Sequence, residues 1–186
     1  MGQVKGTAVV STLRFLKERF GEDEAASVVS SLAPSERALV EQGALASTWY
    51  PMSLLLHLMQ ESKGRLGARS LTLLRDMGRA SAEYGITTVY RIFFKVGSPQ
   101  FIISRAARVF GSYYDSGELR LLASRPGHAA VDLVGFQEST PEFCERILGW
   151  MERTMELSGA RNLRANHVRC LHRGDDVCRF QGDWDQ

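Results

Sequence analysis

The chain has 186 residues, 44% of them hydrophobic and 24% charged, with a formal net charge of +2 at pH 7. That length and composition suit one folded domain with a core of ordinary size, and exclude a fibrous or disordered chain. The charge is uneven, five basic against six acidic side chains in residues 1–60, nine against three in 61–108, and nine against twelve in 109–186.

In chain order, the first 112 residues read as helices. Leu13, Leu16 and Phe20 share a helical face that Gly21 ends, and Ala25, Val28 and Leu32 form a second stripe closed by Pro34. "WYPMSLLLHLMQE" predicts a third helix with Pro51 in its first turn, followed by the Gly/Arg loop "KGRLGARS". Leu73, Leu74, Met77, Ala80 and Tyr84 line one face of a helix over Ser70–Tyr84, in which Gly78 either permits close helix approach or is merely tolerated. "GSPQFIISRAARVFGSYY" reads as one more helix, from Ser98–Pro99 to Gly111.

The period then changes. "GELRLLAS" (117–124) and "HAAVDLVGF" (128–136) are strand-like runs on either side of the hairpin signal "RPG". Thr140, Pro141 and Glu142 open a helix that runs to Ser158, with Gly159 as its stop. "ARNLRANHVRCLH" and "VCRFQGDW" predict a second hairpin around "RGDD". The expected fold is α+β, a single domain over 1–186: a helical half (1–112) packed on a twisted antiparallel sheet from a β-hairpin–helix–β-hairpin half (113–186).

The basic middle band suits nucleic acid or an acidic partner, but a solvated helix face is the commoner explanation, so nucleic acid is not the expected partner. No run is apolar for long enough to span a bilayer, and the first apolar run is too short for a signal peptide. Three cysteines without secretory context argue against a disulfide framework and for the cytoplasm.

The chemistry is concentrated late in the chain. Cys144 falls on the inward stripe of the 141–158 helix with Leu148, Met151 and Met155, while Glu142, Glu145, Glu152 and Glu156 fall outside it. With His167, Cys170 and Cys178 it forms Cys-x22-His-x2-Cys-x7-Cys, three soft donors and one borderline donor, the set of a tetrahedral Cys3His zinc site. Four protein ligands leave no open position, which makes the zinc structural. The three net thiolate charges against two on zinc leave −1 for Arg169 or Arg173 to offset. His167 and Cys170 are three apart and face opposite sides of a regular strand, so both bind only if the strand bulges or begins after His167; His172 is the alternative. Inert buried thiols are the competing reading. A haem anchor needs Cys-x-x-Cys-His, which is missing, and a Cys144–His167 nucleophile pair has no orienting third residue.

The stretch Ser139–Trp184, with "GARNLRANHVRCLHRGDDVCRF", resembles the C-terminal half of 4-vinyl-reductase-type domains. These are small-molecule-binding modules related in fold to haem-nitric-oxide-binding domains and to Bet3-type subunits of vesicle-tethering complexes. In the ligand-sensing members the zinc pattern is a helix cysteine, then an acidic residue, cysteine and cysteine on the hairpin; Cys144, Cys170 and Cys178 match, and His167 stands in the acidic place. "LRFLKERFGEDEAASVVSSL", "WYPMSLLLHLM" and "RVFGSYYDSGELRLL" also resemble an uncharacterised family abundant in myxobacteria, which implies no activity.

The resemblance implies helices and a twisted sheet enclosing an apolar pocket, and often a homodimer through the helices. Phe93, Phe94, Phe110, Tyr113, Tyr114 and Trp150 are the candidate lining residues, though aromatic clusters commonly just fill a core. The Tyr-x-Ser-x-Arg motif of haem-sensing relatives is missing, and His57 reads as a core residue rather than an axial ligand, so no haem is expected. The expected function is a non-catalytic, zinc-stabilised ligand-binding or regulatory module. It would take a small apolar or aromatic ligand and act through an unidentified protein partner. The alternatives are a ligand-free scaffold like the tethering subunits, and a tetrapyrrole vinyl reductase, for which no nucleotide-binding glycine pattern exists.

Overall fold

The computed structural model describes residues 2–86 and 98–185, apart from the side chain of Ala106, so Phe93 and Phe94 lie outside the described residues. The chain opens on a short strand β1 (Gln3–Lys5), which pairs antiparallel with β2 (Trp49–Pro51). Between them lie α1 (Gly6–Phe20), α2 (Glu22–Ser30) and α3 (Pro34–Glu41). Gly21 ends α1 with φ 96°, a left-handed value that costs glycine nothing. Pro34 does not merely close the second stripe; it is the first residue of α3, a position where its missing N–H goes unneeded.

Helix α4 (Met52–Leu66) buries Leu54, Leu55, Leu58 and Met59. His57 lies off that face. Its side chain is half exposed and its Nδ1 meets the Glu36 carboxylate at 2.8 Å, so it is a surface residue hydrogen-bonded to a carboxylate and not a core histidine. After α5 (Leu73–Tyr84), the helix expected over 98–111 is two short ones, α6 (Pro99–Ile103) and α7 (Ala106–Gly111). The break falls at Ser104–Arg105, where the Ser104 hydroxyl and Arg105 guanidinium both donate to the Phe101 carbonyl.

Strands β3 (Glu118–Arg125) and β4 (His128–Val134), helix α8 (Pro141–Leu157), and strands β5 (Arg161–Arg169) and β6 (Cys178–Asp185) complete the α+β fold. The four strands form one antiparallel sheet in the order β3-β4-β6-β5. A core running from Val4 to Phe180 joins the helices to this sheet.

Helices α5 and α8 pack more extensively than any other pair of described elements. A Cβ on Gly78 would lie 1.9 Å from the Arg146 carbonyl oxygen, and one on Gly149 would lie 2.0 Å from that of Arg75. Backbone therefore touches backbone, and Gly78 is required for the crossing. The seam is flanked by ion pairs: Arg75 to Glu152, Arg79 to Glu156 and Glu152, and Arg153 to Glu156 and Glu83. Glu152, expected outside, is 9% exposed, because arginines 77 and 73 positions earlier in the chain take its charge.

Among the described residues, five cations of the basic middle band are spent in this way. Lys63 binds Glu142, Arg65 binds Glu61, Arg69 binds Glu24, and Arg75 and Arg79 bind the α8 carboxylates. Among the described residues no helix is long and apolar enough to cross a membrane.

Candidate metal centre

Cys144 is positioned by the start of α8. The Thr140 hydroxyl accepts from the Phe143 N–H at 3.1 Å and Pro141 occupies the first helical position. Cys144 then falls in the first turn, 1% exposed, on the side facing the sheet. Cys178 is the first residue of β6, opposite Leu133, and is fully buried.

The awkward three-residue spacing of His167 and Cys170 is resolved by a β-bulge. His167 pairs with Phe180 and Arg169 with Arg179, so two steps on β5 answer one on β6 and the parity of the strand reverses. Beyond the bulge Cys170 leaves the strand into a 3₁₀ turn over Leu171–Arg173, with Gly174 in the left-handed region at φ 90°. The Asp175 carboxylate accepts from the Cys170 N–H at 2.7 Å and holds this knuckle closed.

One donor atom from each of Cys144, His167, Cys170 and Cys178 lies within 4.8 Å of all the others. The Cys144 and Cys178 sulfurs are 3.6 Å apart, too far for a disulfide, and all three cysteines are free. Two thiolates on a tetrahedral zinc with bonds of about 2.3 Å are separated by about 3.8 Å, close to that value. The His167 Nε2 is buried without a hydrogen-bond partner, and its ring stacks on Phe180 with centroids 4.4 Å apart and planes 12° apart. His172 is not in the cluster; its Nε2 meets the Ser139 hydroxyl at 3.3 Å.

The electrostatics suit a cation. Burial pushes the Cys144 thiol well above its ordinary range; a hydrogen bond from Ser139 opposes this, and Cys178 adds to it. Burial and then the Arg173 charge lower the His167 pKa, favouring the neutral imidazole a metal needs. Of the two arginines considered for the residual negative charge, Arg169 is tied to Asp176 at 2.8 Å, whereas Arg173 donates to the His167 carbonyl at 2.8 Å. The donor set, its separations and the orphaned imidazole nitrogen all fit zinc.

Two neighbours of the cluster escaped the sequence reading. The Ser139 hydroxyl lies 3.6 Å from the Cys144 sulfur and 3.9 Å from that of Cys178, in outer-shell range. Ser139-Thr140 offers two adjacent hydroxyls where one suffices as a cap, which was the available clue. Phe180 orients the imidazole from the paired strand, and its signal was only the cross-strand register.

Phe180 also belongs to the wall of an apolar cavity of about 60 Å³ between α8 and the sheet, lined too by Leu119, Val131, Leu148, Met155 and Trp184. Of the candidate pocket residues, Trp150 lines this cavity. Phe110, Tyr113 and Tyr114 instead surround, with Trp150, a void of about 10 Å³. There Tyr114 packs against Phe110, Phe136 and Phe143, with centroids 4.6, 5.6 and 5.4 Å away.

No family profile matches the chain, and no curated protein matches it either. Solved structures do. The crystal structure of an H-NOX protein from S. oneidensis in the Fe(II)NO ligation state superposes with a TM-score of 0.76 at 14% identity, covering 98% of this chain and 99% of that one. The Fe(II) unliganded H-NOX protein from K. algicida gives 0.71 at 12% identity over 98% and 97%. An oxygen-binding H-NOX domain related to soluble guanylate cyclases gives 0.67 at 12% over 98% and 95%. The chain has the H-NOX fold.

This agrees with the haem-nitric-oxide-binding part of the resemblance; no finding supports its 4-vinyl-reductase and myxobacterial parts. It also corrects the expectation that haem is absent, since H-NOX neighbours include structures studied for the function of heme distortion. A missing Tyr-x-Ser-x-Arg motif was no ground for setting haem aside. The described lining of the cavity offers iron the thioethers of Met151 and Met155 and the arginine-paired Glu152 carboxylate, with no histidine, cysteine, tyrosine or basic side chain. Those residues do not fit a histidine-ligated haem.

Proposed function

We propose that the chain is a non-catalytic sensor module of H-NOX fold. In this reading a structural zinc at Cys144, His167, Cys170 and Cys178 clamps α8 to the β5–β6 hairpin, and a small apolar ligand occupies the cavity beside it. The observation that carries it is the orphaned His167 Nε2 within 4.8 Å of three buried thiols, a costly arrangement unless a cation completes it. The cavity shares Phe180 with the metal centre, so ligand and clamp bear on one side chain. Output would pass by contact to a protein partner, from a cytoplasmic homodimer.

Elemental analysis of protein purified without chelators tests the clamp. One zinc per chain is expected, falling below half an equivalent in Cys144→Ala, whereas a metal-free wild type overturns it. Hemin titration of the zinc-loaded protein, followed by its Soret band, decides whether haem is the ligand: a saturable one-to-one complex would replace the small apolar ligand proposed here. A tethering-type scaffold without a ligand is favoured by no specific observation.

A further inference from the structure

Buried helical hydroxyls among the described residues find partners: Thr7 donates to the Ala46 carbonyl, and Ser81 accepts from the Ser11 hydroxyl. Ser11 and Thr12 reach the Ala8 carbonyl, Ser62 that of Leu58, and Ser158 that of Met155. Thr154 is the exception. It is 2% exposed, it sits in the cavity wall, and its hydroxyl has no partner even on the preceding turn. One turn earlier in the same wall, the Trp150 Nε1–H is also buried without an acceptor. A buried donor left unmade is costly, and two in adjacent turns of one apolar wall mark a place where an acceptor belongs.

We infer that the cavity's ligand is a compact, neutral molecule with one hydrogen-bond acceptor, such as a small ketone, ester or cyclic ether, received by the Thr154 hydroxyl and the Trp150 indole N–H. This rests on reading the cavity as the ligand site. Neutrality follows from the wall's charge. Glu152 is the one acidic or basic residue of the described wall, and Arg75 and Arg79 already hold its carboxylate. An anion would meet no cation in the described wall, and a cation would meet a carboxylate already neutralised. Compactness follows from about 60 Å³ of space, less than an engineered apolar cavity of about 150 Å³ that accepts benzene.

Acetone and 2-methylpropene, each with four heavy atoms, have nearly the same shape and differ in replacing C=O by C=CH₂. Both are titrated into the zinc-loaded full chain and followed by amide and indole N–H NMR, with the Trp150 resonance assigned by its loss in Trp150→Phe. The ketone is expected to shift the Trp150 indole N–H downfield and to bind roughly three- to tenfold more weakly to Thr154→Val. The hydrocarbon is expected to bind wild type and Thr154→Val alike, and Thr154→Ser is expected to retain the ketone's affinity. Equal ketone affinity for wild type and Thr154→Val, with the indole resonance unmoved, overturns the donor pair and leaves the cavity reading standing. If neither probe perturbs any wall resonance, the cavity reading itself fails, and this inference with it.

Discussion

Helix α8 has two unlike long faces. Toward α5 there is no slack: glycine meets backbone at both contact points, and Glu152 and Glu156 are held by arginines. Toward the sheet the same helix leaves a cavity, two unsatisfied donors and, at its first turn, a thiol in a cluster of metal-binding side chains. The contrast separates two tasks. A face with paired charges and closed packing gives rigidity, whereas a face with space and unpaired donors beside it can respond to what fills it.

The largest effect should come from opening the closed face. Gly78→Ala drives a methyl into the Arg146 carbonyl and forces the helices apart, with an expected loss of about 3 kcal/mol in denaturant unfolding. A loss under about 1 kcal/mol would mean that the seam yields, and the contrast would be gone. Next comes Arg75→Met, which strips Glu152 of its bidentate partner beside the cavity. With both groups partly solvated the expected cost is about 1–2 kcal/mol, reduced by salt.

On the open face the sign should reverse. Thr154→Val removes a buried, unpaired hydroxyl while keeping the shape, and the ligand-free protein is expected to gain about 1 kcal/mol. The smallest effect is pH-dependent. Burial raises the Glu156 pKa, but hydrogen bonds from Arg79 and Arg153 outweigh it and leave the carboxyl below its ordinary value of 4.5. Its folded-state pKa is depressed, so its contribution is complete above about pH 4.5 and is lost as pH falls through the folded value. The stability gap between wild type and Glu156→Gln should therefore be constant near neutrality and shrink in acid, by urea titration at successive pH values.

What could be read in the chain beforehand followed the range of the signal. Thr140-Pro141-Glu142 is a local start signal, and α8 begins at Pro141. The two hairpins were legible from their turns, because alternation and turn chemistry act over a few residues. Strands β1 and β2 were not, since three residues paired across about 46 positions carry no pattern of their own. Gly149 and Glu152 were missed for the same reason: what makes each necessary is a side chain or carbonyl on α5, more than 70 positions away. The four residues of the cluster could be picked out by donor chemistry alone, but the bulge that brings His167 and Cys170 to one side depends on β6. The cavity, defined by what is missing between two elements, had no sequence signal.

The central claim is that α8 is clamped to the terminal hairpin by zinc on three sulfurs and one imidazole. X-ray absorption at the zinc edge of the purified protein tests it most directly. The account predicts three sulfur scatterers at about 2.3 Å and one nitrogen at about 2.0–2.1 Å, with the nitrogen lost in His167→Ala and kept in His172→Ala. A first shell of oxygen atoms, or one unchanged in His167→Ala, would contradict it.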